Sequence, residues 1–258
     1  SSVELILSGV LSLGSAMYFL RLAKKAALRP DPVVQPYGSP DAIFASLLVI
    51  WFLMNIVGSS NRVLVVDTRL LIFGAIFSLL LTAFLLSFLI LRSRDPFDLF
   101  GLRGTRWRQI VPAACLGLAA ALPAIYFVHS LSLHLMAGDA QPQPLLQFLA
   151  GNSDLQGRLL LIVTAILIAP ISEELIFRGY IFGVLRRYAG PWWAMIISAS
   201  IFAAIHAHIP SLAGLFVLAV TLTLVYQSTG SLWTPMLMHA LFNGVTVILT
   251  LAWPDTVK

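Results

Sequence analysis

Charge is scarce in this chain. Only 10% of its 258 residues are Asp, Glu, Lys or Arg, against 59% hydrophobic. Soluble domains carry about 25% charged residues. So few charges cannot cover a water-facing surface, and lipid must be the main solvent. Cysteine is almost missing as well. Cys115 is the single thiol, which excludes an internal disulfide and a metal site built from several thiolates. Lying inside an apolar run, it reads as packing rather than as a nucleophile. The apolar runs also lack strict polar–apolar alternation, so a lipid-facing barrel is excluded and helices remain.

Several catalytic motifs are missing too. There is no His-Glu-x-x-His, which a zincin or site-2-type peptidase requires. There is no Gly-x-Ser-x-Gly nucleophile elbow and no Walker-type phosphate loop. No aspartate is expected within a membrane span, which excludes a paired intramembrane aspartyl site.

What is present is a series of apolar segments. Charge-free runs cover 5–20, 42–61, 70–91 and 109–138, and a shorter one, 159–172, continues past Glu173-Glu174 to about 187. The first run has no basic segment before it and basic residues after it, so it reads as a membrane helix rather than a cleavable signal. From Tyr188 to Pro254 there is no Asp, Glu, Lys or Arg at all. Turn signals at His206-Ala-His-Ile-Pro-Ser and Gln227-Ser-Thr-Gly-Ser divide that stretch into helices near 192–206, 212–226 and 232–252. Gly190-Pro191 suits a helix start, and Ser231 suits an N-cap. The expectation is an all-α integral membrane protein, a bundle of about eight transmembrane helices. It forms one membrane domain over 1–258, with helices 1–4 in 1–157 and helices 5–8 in 158–253.

The net charge of +5 does not point to nucleic acid, because the basic residues sit in short loops, where positive-inside topology places them. With the loop after helix 1 inside, Arg21, Lys24, Lys25, Arg29, Arg92, Arg94, Arg103, Arg106, Arg108, Arg186 and Arg187 are cytoplasmic. Arg62, Arg69, Arg158 and Lys258 fall outside. Both termini are then external, and the expected location is a bacterial or archaeal plasma membrane.

Of the eleven acidic residues, nine lie in loops or at ends. Only Glu173 and Glu174 sit within apolar sequence. A carboxylate at membrane depth costs a few kcal/mol or more, so it needs a partner or a function. Arg178 lies at i+4 from Glu174, on the same helix face. Glu173 points elsewhere, since the helix turns about 100° per residue, and is left as the candidate general base. From the pair alone, knitting helices together is as good a reading as catalysis. Glu173 lies 16 residues before Ala189 and His206 lies 17 after it, so an antiparallel pair sets them level. His239 and Asn243 share one face of helix 8. Their depth matches Glu173 only if helix 5, roughly 45 Å long, overshoots the membrane or bends, with Pro170 and Gly179 as bending points. His129, His134 and His208 read as non-catalytic.

Three motifs resemble those of one known family. Glu173-Glu174-Leu-Ile-Phe-Arg178 looks like its E-E-x-x-x-R, Phe202-Ala-Ala-Ile-His206 its F-x-x-x-H, and His239-Ala-Leu-Phe-Asn243 its H-x-x-x-N. The family is that of the CAAX prenyl endopeptidases and bacteriocin-processing enzymes, also called CPBP or Abi intramembrane peptidases. Each motif alone is weak, but three in order on separate membrane helices are specific. The resemblance implies hydrolysis of a peptide bond near the cytoplasmic membrane face. Glu173 and His206 would activate water, His239 and Asn243 would stabilise the oxyanion, and Glu174, Arg178 and Phe202 would support them. The implied partners are membrane lipid and a peptide or protein substrate that is lipid-modified or membrane-associated. Glu173, His206 and His239 form a His₂Glu set like that of a catalytic zinc ion. The same residues can activate water without an ion, and the metal-free chemistry is preferred. The alternative is a non-enzymatic membrane protein, such as a bacteriocin self-immunity or scaffold protein. A proton-coupled transporter is weakened by the lack of an internal repeat.

Overall fold

The structure, a computed structural model, describes residues 2–28, 37–59, 66–104, 106–136, 142–151 and 155–257. Its elements among these are helical throughout. The long ones are α1 (Ser2–Leu28), α2 (Ser39–Ser59), α3 (Thr68–Leu91), α5 (Trp107–Leu135), α10 (Leu212–Thr229) and α11 (Trp233–Ala252). Between α5 and α10 runs one stretch, Leu155–Ala204. It comprises α7 (Leu155–Val163), a π-helical segment Thr164–Ile168, α8 (Ala169–Glu174), a second π segment Leu175–Ile181, and α9 (Phe182–Ala204). Two short helices, α4 (Pro96–Leu99) and α6 (Pro144–Ala150), were not legible as apolar runs.

Among the described residues, six helices are long and apolar enough to cross a membrane. The longest, Leu155–Ala204, kinks at Gly190 (φ 76°, ψ 169°) and so holds two of the expected helices. With α1, which is not among the six, this makes the expected count of eight an approximate one. Three topology residues, Arg29, Arg62 and Lys258, lie outside the described residues, as do the ends of the runs at 60–61 and 137–138.

Helix α3 illustrates why lipid is the solvent. Leu71, Ala75, Thr82, Leu85 and Leu89 form its buried stripe at helical spacing. Its outer face is equally apolar: Ile72, Phe73, Ile76, Leu79, Leu80 and Phe84 are exposed. A water-facing helix would carry charge there. Helix α10 is the centre of the bundle, in contact with α1, α5, α9 and α11. Where α5 crosses it, Gly117 lets the helices close: an added Cβ would lie 3.0 Å from both Val225 of α10 and Met238 of α11. Gly230, left-handed at φ 72°, ends α10 and turns the chain into α11.

Two local expectations fail. Ser231 does not cap α11: Leu232 is the cap residue, no side chain bonds there, and the Ser231 hydroxyl has no partner. Asp41 was placed outside the spans, but α2 begins at Ser39, so Asp41 falls in its first turn and is buried. It accepts from the Gly38 N–H at 2.7 Å and faces Arg92 at 3.6 Å. That local turn bond and a basic neighbour make burial of its charge tolerable.

Candidate active site

Both π segments flank the Glu173-Glu174 pair. A π turn closes N–H(i)→O(i−5) bonds and is common at functional sites. The Ala169 N–H reaches the Thr164 carbonyl in that register. The next residue is Pro170, which has no N–H, so the Ala165 carbonyl gets no donor from it. Asn243 of α11 supplies one from outside: its Nδ2 donates to the Ala165 oxygen at 2.7 Å. The second π segment is tied similarly. The Ser198 hydroxyl donates to the Phe177 carbonyl at 3.3 Å, and the Tyr37 hydroxyl to the Gly179 carbonyl at 2.9 Å. Burial, with Tyr226, Tyr180 and Asp41 nearby, holds the Tyr37 phenol well above its usual range, so it remains a neutral donor.

The two carboxylates are treated differently, as their positions on the helix require. Glu174 is fully buried and pairs with Arg178, also buried, at 2.8 Å. The same Oε1 accepts from His239 Nδ1–H at 2.9 Å. The Arg178 guanidinium sits over the Phe202 ring, 4.2 Å from its centroid, a cation–π contact that desolvation strengthens. Glu173 is partly open, its side chain 24% exposed. Its Oε2 has no hydrogen-bond partner and lies 3.9 Å from His239 Nε2, too far for a direct bond.

These bonds fix the histidine tautomers. A carboxylate can only accept, so the proton on His239 Nδ1 points to Glu174 and Nε2 faces Glu173. His206 lies 2.8 Å from the Phe202 carbonyl through Nδ1. A carbonyl can only accept, so Nδ1 carries the proton and Nε2 of a neutral ring is a free base. Phe202 joins both: its ring lies 4.9 Å from the His206 ring, 5.8 Å from the His239 ring and 5.3 Å from Phe177. Directly after His206, Ala207 takes a left-handed φ of 48° and turns the chain sharply away.

Phe100 resolves the depth mismatch. Its ring packs on Gly179, where a Cβ would approach it to 2.9 Å, while its carbonyl accepts from the Leu232 N–H at 3.0 Å. Gly179 and the start of α11 are thereby level. Five residues back along one helix lies Glu174, and seven residues up the other lies His239, roughly 8 and 10 Å away. Helix 5 therefore runs on past the start of α11 before it reaches Gly190.

The structure thus brings Glu173, Glu174, Arg178, Phe202, His206 and His239 together. Asn243, one turn above His239, is anchored on Ala165. Among the described residues no three His, Cys, Asp or Glu side chains are grouped to hold one ion. His239 commits Nδ1 to Glu174 and keeps Nε2, facing Glu173, as its one remaining ring nitrogen. His129 and His208 are occupied elsewhere, near Pro210 and Ser211. Sequence reasoning missed the Glu174–His239 bond, the π segments, and the parts played by Phe100 and Tyr37. Pro170 was a usable signal for the first π segment. Nothing local marked the others.

Residues 155–245 match the family model described as type II CAAX prenyl endopeptidase Rce1-like. The chain is 34% identical over 92 residues to a putative membrane peptidase, YdiL, of Bacillus subtilis, covering 36% of this chain and 38% of that protein. It is 31% identical over 166 residues to the membrane-embedded CAAX protease MroQ of Staphylococcus aureus, covering 58% of this chain and 62% of that one. An uncharacterized 24.3 kDa protein of Escherichia coli is 28% identical over 102 residues, covering 38% of this chain and 47% of that protein. The chain therefore spans less than two thirds of each of these relatives. No solved structure matches significantly.

Proposed function

We propose that this chain, whose residues 155–245 match the type II CAAX prenyl endopeptidase Rce1-like model, is a CAAX-protease-like membrane peptidase of the CPBP family and hydrolyses a peptide bond at the Glu173 site. The observation that carries this is the contrast between the carboxylates. Glu174 is fully buried and its Oε1 is bonded to both Arg178 and His239, whereas Glu173 makes neither bond, has a side chain 24% exposed and lies beside His239 Nε2. A carboxylate spared from the ion pair and partly open to water suits a general base.

In this reading a water enters beside Glu173. Glu173 takes one of its protons, and His206 Nε2 accepts a hydrogen bond from the other. The water oxygen attacks the peptide carbonyl. The oxyanion that forms is met by Nε2–H of His239. In this role His239 keeps its Nδ1–H on Glu174 while Nε2–H meets the oxyanion. The second hydrogen of Asn243 Nδ2 is a further donor on that helix face. Glu173 then returns its proton to the leaving amine. No step is routed through a metal. In this reading the substrate is a membrane-associated peptide that enters from the cytoplasmic side, which the positive-inside pattern of the basic residues supports.

Glu173→Gln keeps the shape and removes the base, so turnover of a fluorogenic peptide should vanish while the thermal unfolding curve in detergent stays put. Chelator-stripped wild-type enzyme should retain its turnover. Activity that survived in Glu173→Gln would sink the assignment of the base. Activity lost on stripping and restored by one equivalent of zinc would sink the metal-free route.

A further inference from the structure

A cavity of about 920 Å³ opens away from the catalytic centre, among the ends of α1, α5, α10 and α11. Arg21, Lys24 and Lys25 from the end of α1 line it, with Arg106 and Gln109 at the start of α5 and Ser231 before α11. Its one other cation, Arg103, is neutralised by Asp95 at 2.5 Å and Asp98 at 2.9 Å. For Arg21, Lys24, Lys25 and Arg106 no carboxylate among the described residues serves as partner. Cytoplasmic basic residues ordinarily splay into solvent, as topology alone requires of them. Here four unneutralised cations from two helices surround one concave space.

Three further observations give the space a sign and a depth. The Ser231 hydroxyl lines it, buried and without a hydrogen-bond partner. Two long helices, α5 and α11, start at its rim, and neither has a side-chain cap. Their positive dipole ends add to the attraction for an anion. Trp107 and Trp233, their rings 5.7 Å apart and tilted by 45° beside it, are the residue type that marks the lipid–water boundary. Concentrated positive potential, a free hydroxyl donor and headgroup depth together suit one ligand chemistry.

We propose that this cavity binds a phosphate group, supplied by the headgroup of an anionic phospholipid. The site lies apart from Glu173 and rests on the membrane setting alone, so its test needs no activity measurement. Purified protein in neutral detergent is titrated with dioctanoyl phosphatidylglycerol, dioctanoyl phosphatidylcholine and inorganic phosphate, with binding read by native mass spectrometry. Phosphatidylglycerol should bind saturably and at least about tenfold more tightly than phosphatidylcholine. Each Lys or Arg near an anionic headgroup is worth about fivefold in affinity. Arg106→Gln should therefore weaken binding about fivefold, and Arg21→Gln/Lys24→Gln/Arg106→Gln roughly a hundredfold. Arg108→Gln removes the same charge two residues away, outside the cavity, and should leave the affinity unchanged. Equal losses in Arg106→Gln and Arg108→Gln would overturn the site in favour of general charge attraction. Inorganic phosphate binding as tightly as phosphatidylglycerol would keep the phosphate site and overturn its lipid source. No saturable binding of either would overturn both.

Discussion

At the scale of single residues, adjacency in sequence conceals opposite fates. Glu173 and Glu174 point about 100° apart on one helix, and of the two it is Glu174 that bonds to Arg178 and His239. Glu174→Gln should therefore act on stability rather than directly on chemistry. It leaves the Arg178 charge, 1% exposed, without its counterion. Breaking one side of a buried pair costs about 3–5 kcal/mol. Thermal denaturation in detergent should show a large downward shift and reduced folded yield, with Glu173→Gln unchanged beside it. A Glu174→Gln protein as stable as wild type would remove the bracing role. Phe202 invites a similar comparison, since its ring supports Arg178 and both histidines. That role was legible only as a letter in a motif, because ring contacts across helices leave no local trace in sequence.

At the scale of elements, the π segments and the α11 start set the geometry. Pro170 withholds an N–H from Ala165, and Asn243 replaces it across 78 positions of chain. Asn243→Ala should lower turnover about 10²- to 10³-fold if its second hydrogen serves the oxyanion, with KM little changed. It should also cost about 1 kcal/mol of stability through the lost bond. Pro170→Ala supplies a helical N–H near Ala165. In the Asn243→Ala background it should recover that stability without recovering turnover, so the double-mutant cycle separates the two tasks. A strictly additive cycle would show that Ala165 is not what couples them. The α11 start is tested through two glycines. Gly101 (φ 63°) would place a Cβ 1.9 Å from the Gly230 carbonyl, whereas Gly104 (φ 65°) has open space around it. Gly104→Ala should cost only about 1 kcal/mol, from its left-handed backbone. Gly101→Ala adds a backbone collision. It should destabilise well beyond that and lower activity by shifting His239. Equal effects of the two would mean that the turn does not set the depth of α11.

At the scale of the whole molecule, two basic segments meet at one place. The end of α1, residues 101–104 with Arg106, and the turn at 228–231 border one cavity, as an arrangement with these segments on a common face requires. The expected topology puts Ser39, at the start of α2, inside and Gln147, on α6, outside. Both are exposed. Single cysteines at these positions, in a Cys115→Ala background, should react with an impermeant maleimide from opposite sides of the membrane. Labelling of both from one side would refute the orientation.

The sequence by itself determined the solvent, the helical class and the local pairs. Low charge density and apolar runs suffice for the first two, and the Glu174–Arg178 pair follows from i,i+4 spacing, which any helix imposes. It also named the residues that converge, because three short motifs on separate helices carry them. Tertiary structure alone decided how they converge. The Glu174–His239 bond joins positions 65 apart, and the level of α11 against Gly179 depends on Phe100 reaching both. Asp41 became buried only because Arg92 and Tyr180 packed around it. Such contacts depend on which helices adjoin and at what height. In a chain whose lipid-facing and core-facing sides are equally apolar, hydropathy carries no signal for either.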